Sequence, residues 1–166
     1  MTDAIPIVFN SPELAAWHEA GHVEAALRVG ARVVEVELCR DPVRSHGRTR
    51  VDRDDKQATE ILVGGFGVEY LLYKQGRLLK PDGTPPSEKE FIDAAMNNAA
   101  DDAPRLWELL PGRAAALDET ERDWQFMDWA IARANQLVDL TVVERIAAAL
   151  LAADFLDEAA VQAALA

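Results

Sequence analysis

His18, Glu19, Ala20, Gly21 and His22 place two imidazoles four residues apart, with a carboxylate next to the first. On an α-helix that spacing is 400° of rotation, so the rings project about 40° apart and about 6 Å apart along the axis. Both can then aim a ring nitrogen at one ion. Neutral imidazole is a good zinc ligand, and two of them leave room for a third protein donor and a water. Glu19 is turned to the side of such a site, where its carboxylate can take a proton from a zinc-activated water as it attacks a carbonyl. Two of the chain's 3 histidines fall in this motif. His18 and His22 are therefore candidate metal ligands, Zn2+ the candidate cofactor, and Glu19 the candidate general base.

The motif needs a helix, and the flanking residues supply one. Ser11, Pro12 and Glu13 read as an N-cap, a first-turn proline and an acid at the positive helix end, and Gly30 as the stop, predicting a helix over about 12–29. Alternation over 33–38, a turn over 41–47 and a return over 48–51 predict a β-hairpin at about 33–52. A helix is expected over about 54–73, weakened by Gly64, Gly65 and Gly67, which imply close backbone packing. Residues 74–86 read as a surface loop, and Ser87 with Glu90 as a capping box opening a helix through about Ala99. Pro104 marks a short helix ended by Pro111 and Gly112. Three more helices follow at about 118–138, at 142–153 behind a Thr141/Glu144 capping box, and at 158–165 after Asp157. The expected fold class is mainly α with one small β-hairpin, in a single domain over 1–166. Trp17, Trp107, Trp124 and Trp129 read as helix-packing residues, and 147–153 as an apolar stripe for a partner helix within the chain.

With 166 residues, 49% hydrophobic and 28% charged, the composition is that of a globular domain and excludes wholesale disorder. A net charge of −12 repels phosphate backbones, so nucleic acid is not the expected partner. The single cysteine, Cys39, fits a reducing compartment. Residues 1–10 carry no secretory pattern, and the longest apolar run, 61–73, is short of the roughly 20 residues that span a bilayer. The expectation is a cytoplasmic protein without a membrane partner.

The stretch AAWHEAGHVEAALRVG resembles the zinc helix of the FtsH-type metalloproteases, the M41 peptidase family, where H-E-A-G-H is the usual form. ILVGGFGVEYLLY over 61–73 is similar to that family's glycine-rich helix, with Gly64, Gly65 and Glu69 matching. IAAALLAADFLDEAAVQAAL over 146–165 is similar to its closing pattern of apolar helix, leucine–aspartate turn and last helix. The resemblance implies a zincin-like peptidase fold, a zinc-dependent endopeptidase activity and a third zinc ligand that is an aspartate just before a helix. The matching stretch is Asn98 to Asp102, which puts Asp102 at the ligand position and Asp101 beside it. The chain departs from the family in the longer gap between Glu69 and Asp102, and Trp17 stands where the family commonly has tyrosine.

Read from the residues alone, Asp102 is also a candidate N-cap for the helix after Pro104, a role that does not exclude ligation. Asp101, Glu69 and His46 remain alternative third ligands; His46 reads as an exposed loop residue and Glu69 as a carboxylate that orients one histidine. The returning strand, with Arg48 and Arg50, is a candidate edge to which an extended peptide adds, or an edge kept from aggregating by its charges. These residues hold no G-x-x-x-x-G-K-[S/T] loop, so the expected substrates are peptides or unfolded polypeptides, with any unfoldase or oligomer partner separate. The rival reading is a non-catalytic, zinc-stabilised binding or regulatory module with a peptidase-like fold.

Overall fold

Helix α1 (Pro12–Arg28) begins where Ser11 Oγ accepts the Leu14 amide at 3.1 Å, with Pro12 in the first turn. It ends before Gly30, whose φ of 76° is the left-handed geometry a glycine stop supplies. The computed structural model describes residues 4–166 and places α1 at the centre of the molecule. From Leu14 to Ala26 every residue except Ala15 is buried, so this helix is enclosed on nearly all sides rather than along one stripe. Two histidines and two glutamates ride into the interior on it, a cost that partners must offset.

One wall around α1 is a three-stranded antiparallel sheet in the order β3-β2-β5, made of β2 (Arg32–Cys39), β3 (His46–Asp52) and β5 (Phe155–Asp157). The hairpin expected from the alternation is present, with Val36 opposite Thr49 and Cys39 opposite His46, and a register shift between Val33 and Glu35. β5 is an addition: the leucine–aspartate segment read as a turn instead pairs Leu156 with Val36. A short parallel pair, β1 (Ile7–Val8) with β4 (Leu78–Leu79), lies where a plain surface loop was expected. Ile7 and Leu78 are both buried, which gives those short segments a reason to pair.

The helix expected over 54–73 is two helices, α2 (Asp55–Ile61) and α3 (Gly64–Lys74), separated by a turn at Leu62 and Val63. α3 crosses α1 at Gly64 and Gly21, so closely that a Cβ on Gly21 would stand 2.5 Å from the Gly64 carbonyl oxygen. The capping box at Ser87 forms and opens α4 (Glu88–Asn98). α5 (Asp102–Leu109) starts two residues before Pro104, and Pro111 opens a further turn, α6 (Pro111–Ala114), instead of ending helical structure. α7 (Glu119–Leu137) carries a capping box from Asp118 and Glu121. α8 (Leu140–Ala153) is capped by Asp139, which accepts the Thr141 amide at 2.8 Å, so the expected Thr141/Glu144 box is replaced by a cap two residues earlier. α9 (Glu158–Leu165) is capped by Asp157, as its sequence indicates.

The fold is thus mainly helical with a small sheet. α8 packs against α1 through Val143, Ile146, Ala147 and Leu150, the apolar stripe in use. Trp17 and Trp107 are buried and Trp129 packs against the core, but Trp124, expected to pack between helices, is 55% exposed. Among the described residues no helix is long and apolar enough to cross a membrane.

Candidate metal centre

His18 and His22 extend from α1 toward the first residue of α5. His18 Nε2 and His22 Nε2 are 3.1 Å apart, and each is 3.2 Å from Oδ2 of Asp102. The three atoms form a nearly equilateral triangle. A tetrahedral zinc with bonds of 2.0–2.1 Å needs its ligand atoms about 3.3 Å apart, so the donor set fits one face of that tetrahedron. Two nitrogens and one carboxylate oxygen are also the donor types zinc takes.

The alternatives for the third position separate cleanly. Asp102 is not a cap: α5 has no side-chain cap bond, and the Asp102 carboxylate turns to the imidazoles. Asp101 and His46 are exposed and line the adjoining cleft, outside the cluster of His18, His22 and Asp102. His46 begins β3 opposite Cys39 and is not a loop residue. Glu69 is fully buried on α3 and lies behind His18.

What holds the rings is a second layer of hydrogen bonds. Nδ1 of His18 donates to Glu69 Oε1 at 2.7 Å, and Nδ1 of His22 donates to the Ile61 carbonyl at 2.8 Å. Neither partner has a proton to give, so in the neutral imidazoles the proton sits on Nδ1 and the Nε2 lone pair is free for a metal. The Ile61 carbonyl is available because α2 ends there, and the last carbonyls of a helix have no partner within it. Glu69 is steadied in turn by Asn98 Nδ2, at 3.0 and 3.1 Å from its two oxygens. Arg44 Nη2 reaches the Asn97 carbonyl at 2.7 Å and Asn98 Oδ1 at 3.2 Å, completing a chain from the hairpin turn to the His18 ring.

Burial pushes both imidazoles toward the neutral form, yet the neighbouring carboxylates outweigh it. His18 is raised well above the ordinary histidine value by Asp102 and Glu69, and His22 is raised chiefly by Asp102. For Asp102 burial again opposes ionisation, and the two imidazoles hold its carboxyl far below the usual carboxylate range. The carboxylates thus favour positive charge at the two rings, which protons or a divalent cation can supply.

Glu19 stands beside the triangle, nearly buried, with Oε2 accepting the Thr49 hydroxyl at 2.7 Å. Its Oε1 receives no hydrogen bond from the described residues. Two glycines make the arrangement possible. A Cβ on Gly65 would fall on the imidazole of His18, and one on Gly47 would fall on the side chain of Glu19. His18 and Glu19 open onto a cleft of about 760 Å³ between β3 and α5, and onto a smaller pocket of about 330 Å³ beside Arg44.

The sequence reading brought together His18, Glu19, His22, Asp102 and Glu69, and the structure does the same. It missed Thr49, Asn98 and the Ile61 carbonyl. Thr49 had a signal available, since it is the polar residue on the inward face of a strand whose neighbours Arg48 and Arg50 point outward. Asn98 and Ile61 carry no local pattern that marks their role. No protein-family model matches the chain, and no curated protein sequence matches it.

Proposed function

We propose that this protein is a zinc-dependent metallopeptidase with a zincin-like site of the M41 type, cleaving peptide bonds in unfolded or flexible polypeptides. The observation that carries the reading is the triangle of two Nε2 atoms and one carboxylate oxygen with an unengaged Glu19 oxygen beside it, at the edge of an open cleft. His18, His22 and Asp102 would hold the metal, which when bound supplies a Lewis acid for the substrate carbonyl and lowers the pKa of water.

The chain's own residues do the rest. Glu19 accepts a proton from water as the water oxygen bonds to the peptide carbon. The same proton then passes to the leaving amide nitrogen as the C–N bond breaks, and Glu19 is returned as a carboxylate. Thr49 holds Oε2 and so directs the remaining carboxylate oxygen to this task. Glu69 and the Ile61 carbonyl keep the imidazoles in the tautomer that binds metal. β3 is the outer strand of its sheet and runs along the cleft, so an extended segment can pair with its free edge and lay a carbonyl across the site.

The test is Glu19→Gln, with zinc content and cleavage of an unfolded protein such as casein measured side by side. The variant is expected to fold and bind zinc stoichiometrically while losing roughly 10²–10⁴-fold in rate, the usual worth of a positioned general base. Casein left intact by zinc-loaded parent protein, with or without chelator, would refute the peptidase reading and leave a zinc-stabilised binding module.

A further inference from the structure

The basic residues beside the metal-ligand triangle have a common character. Although the chain carries 29 acidic against 17 basic residues, the larger cleft is lined by Arg48, Arg50, Arg53 and Arg105, and no lysine lines it. Arginine presents a rigid fork suited to a carboxylate, where lysine presents a mobile point charge.

These four are not equivalent. Arg50 is held by Glu35 at 3.0 Å and Arg48 reaches Glu37 at 3.4 Å, both on the outer face of the sheet. Arg53 has one contact with Asp55 at 3.4 Å. Arg105 is exposed and makes no ion pair or side-chain hydrogen bond with the described residues. It lies one turn beyond Asp102 on α5, and an i, i+3 spacing puts it on the helix face that bears the metal ligand. Glu108, a further turn on, lines the same cleft, as do Glu37 and Asp101, yet none of them pairs with Arg105. Exposed charges more than about 8 Å away are largely screened at physiological salt, so the cleft's own lining decides: four arginines beside Glu19, Glu37, Asp101, Asp102 and Glu108, with Arg105 the arginine that no acid among the described residues engages.

We propose that the cleft selects polypeptide segments with an acidic side chain close to the scissile bond, read by Arg105 with Arg53 alongside. The inference deepens the peptidase reading and rests on it for the word scissile. An extended segment paired with the edge of β3 would run along the cleft that Arg105 also lines, and its side chains alternate between the outer sheet face, whose arginines are occupied, and the opposite side.

Three fluorescein-labelled ten-residue peptides test this: a Ser/Ala-based neutral one, one with two central glutamates and one with two central lysines. Affinities are read by anisotropy on zinc-supplemented Glu19→Gln protein, which leaves the peptides intact, and on the same protein carrying Arg105→Glu or Arg105→Gln. The glutamate peptide should bind about 5–30-fold tighter than the neutral one. Arg105→Gln should remove most of that advantage, and Arg105→Glu should turn it toward the lysine peptide. Equal affinities for the three peptides, a glutamate preference that survives both substitutions, or no binding of any peptide at millimolar concentration would each overturn the proposal. Cleavage by the parent protein reports on the peptidase reading separately. Cleavage without acid selectivity sinks only the specificity, and acid-selective binding without cleavage sinks only the chemistry.

Discussion

Glu69→Gln is the most searching perturbation of the proposed metal centre, because it changes one charge and almost no volume. The carboxylate is fully buried and receives the His18 ring proton at 2.7 Å and the Asn98 amide at 3.0 and 3.1 Å. A glutamine keeps one oxygen for His18 but turns an NH2 group toward Asn98, a donor facing a donor. Asn98 can answer by flipping its amide, which then presents NH2 to Arg44 where its oxygen now accepts at 3.2 Å. The substitution therefore costs the charge assistance on one hydrogen bond and leaves one donor unmet along the chain.

A charged hydrogen bond contributes about 1.5–3 kcal/mol against roughly 1 for a neutral one, so His18 loses about 1–2 kcal/mol of support. That corresponds to roughly 5–30-fold weaker zinc binding, overlapping the lower part of the 10–100-fold range typical of partners one layer behind a metal. Zinc competition against a chromogenic chelator at neutral pH measures it, with circular dichroism confirming the fold. A dissociation constant within twofold of the parent would show that Glu69 does not act through His18. Glu69→Ala cannot serve, since it adds a cavity to the lost charge.

Other outcomes follow from the same geometry. Gly65→Ala should displace the His18 ring, costing about 1–3 kcal/mol of stability by overpacking and at least tenfold in zinc affinity; unchanged values for both would mean the α1–α3 approach is looser than the structure has it. Thr49→Val removes the 2.7 Å hydroxyl contact to Glu19 while keeping shape, so peptide hydrolysis should fall about tenfold in kcat with zinc affinity unaltered, and Thr49→Ser should restore it. In metal-free protein the raised imidazole pKa values contribute stability that is complete below about pH 6.5 and disappears as pH climbs through the folded values. The depressed Asp102 value contributes above about pH 3.8 and is lost in stronger acid. The Tm gap between metal-free parent and Asp102→Asn should accordingly be wider at pH 6 than at pH 9, and a gap that grows with pH would contradict the pairing. Zinc must displace those protons, so calorimetry in two buffers of different ionisation enthalpy should register proton release on zinc binding at pH 7.

Local chemistry in the chain was enough for much of this. Four residues of spacing on one helix forces His18 and His22 onto one side whatever the rest of the molecule does, and Ser11, Pro12 and Gly30 set where that helix starts and stops. The capping boxes at Ser87 and Asp118 and the alternation of β2 are also short-range features, settled within a few residues. Elements that depend on distant partners were not legible. The break between α2 and α3 stands at the close crossing with α1, and β1, β4 and β5 are pairings between segments remote in the chain.

The third member of the His18, His22 and Asp102 cluster shows the division most clearly. From the chain alone Asp102 is also a candidate helix cap, and a carboxylate has no preference between an amide proton and an imidazole until the fold places one within reach. α5 delivers it 3.2 Å from both rings, 80 residues after His22, while Asn98 and Thr49 reach Glu69 and Glu19 across 29 and 30 residues. Sequence periodicity determined which side chains share a face; only packing between helices and sheet decided which carboxylate, which amide and which hydroxyl complete their shells, because those contacts join residues whose separation along the chain carries no geometric information.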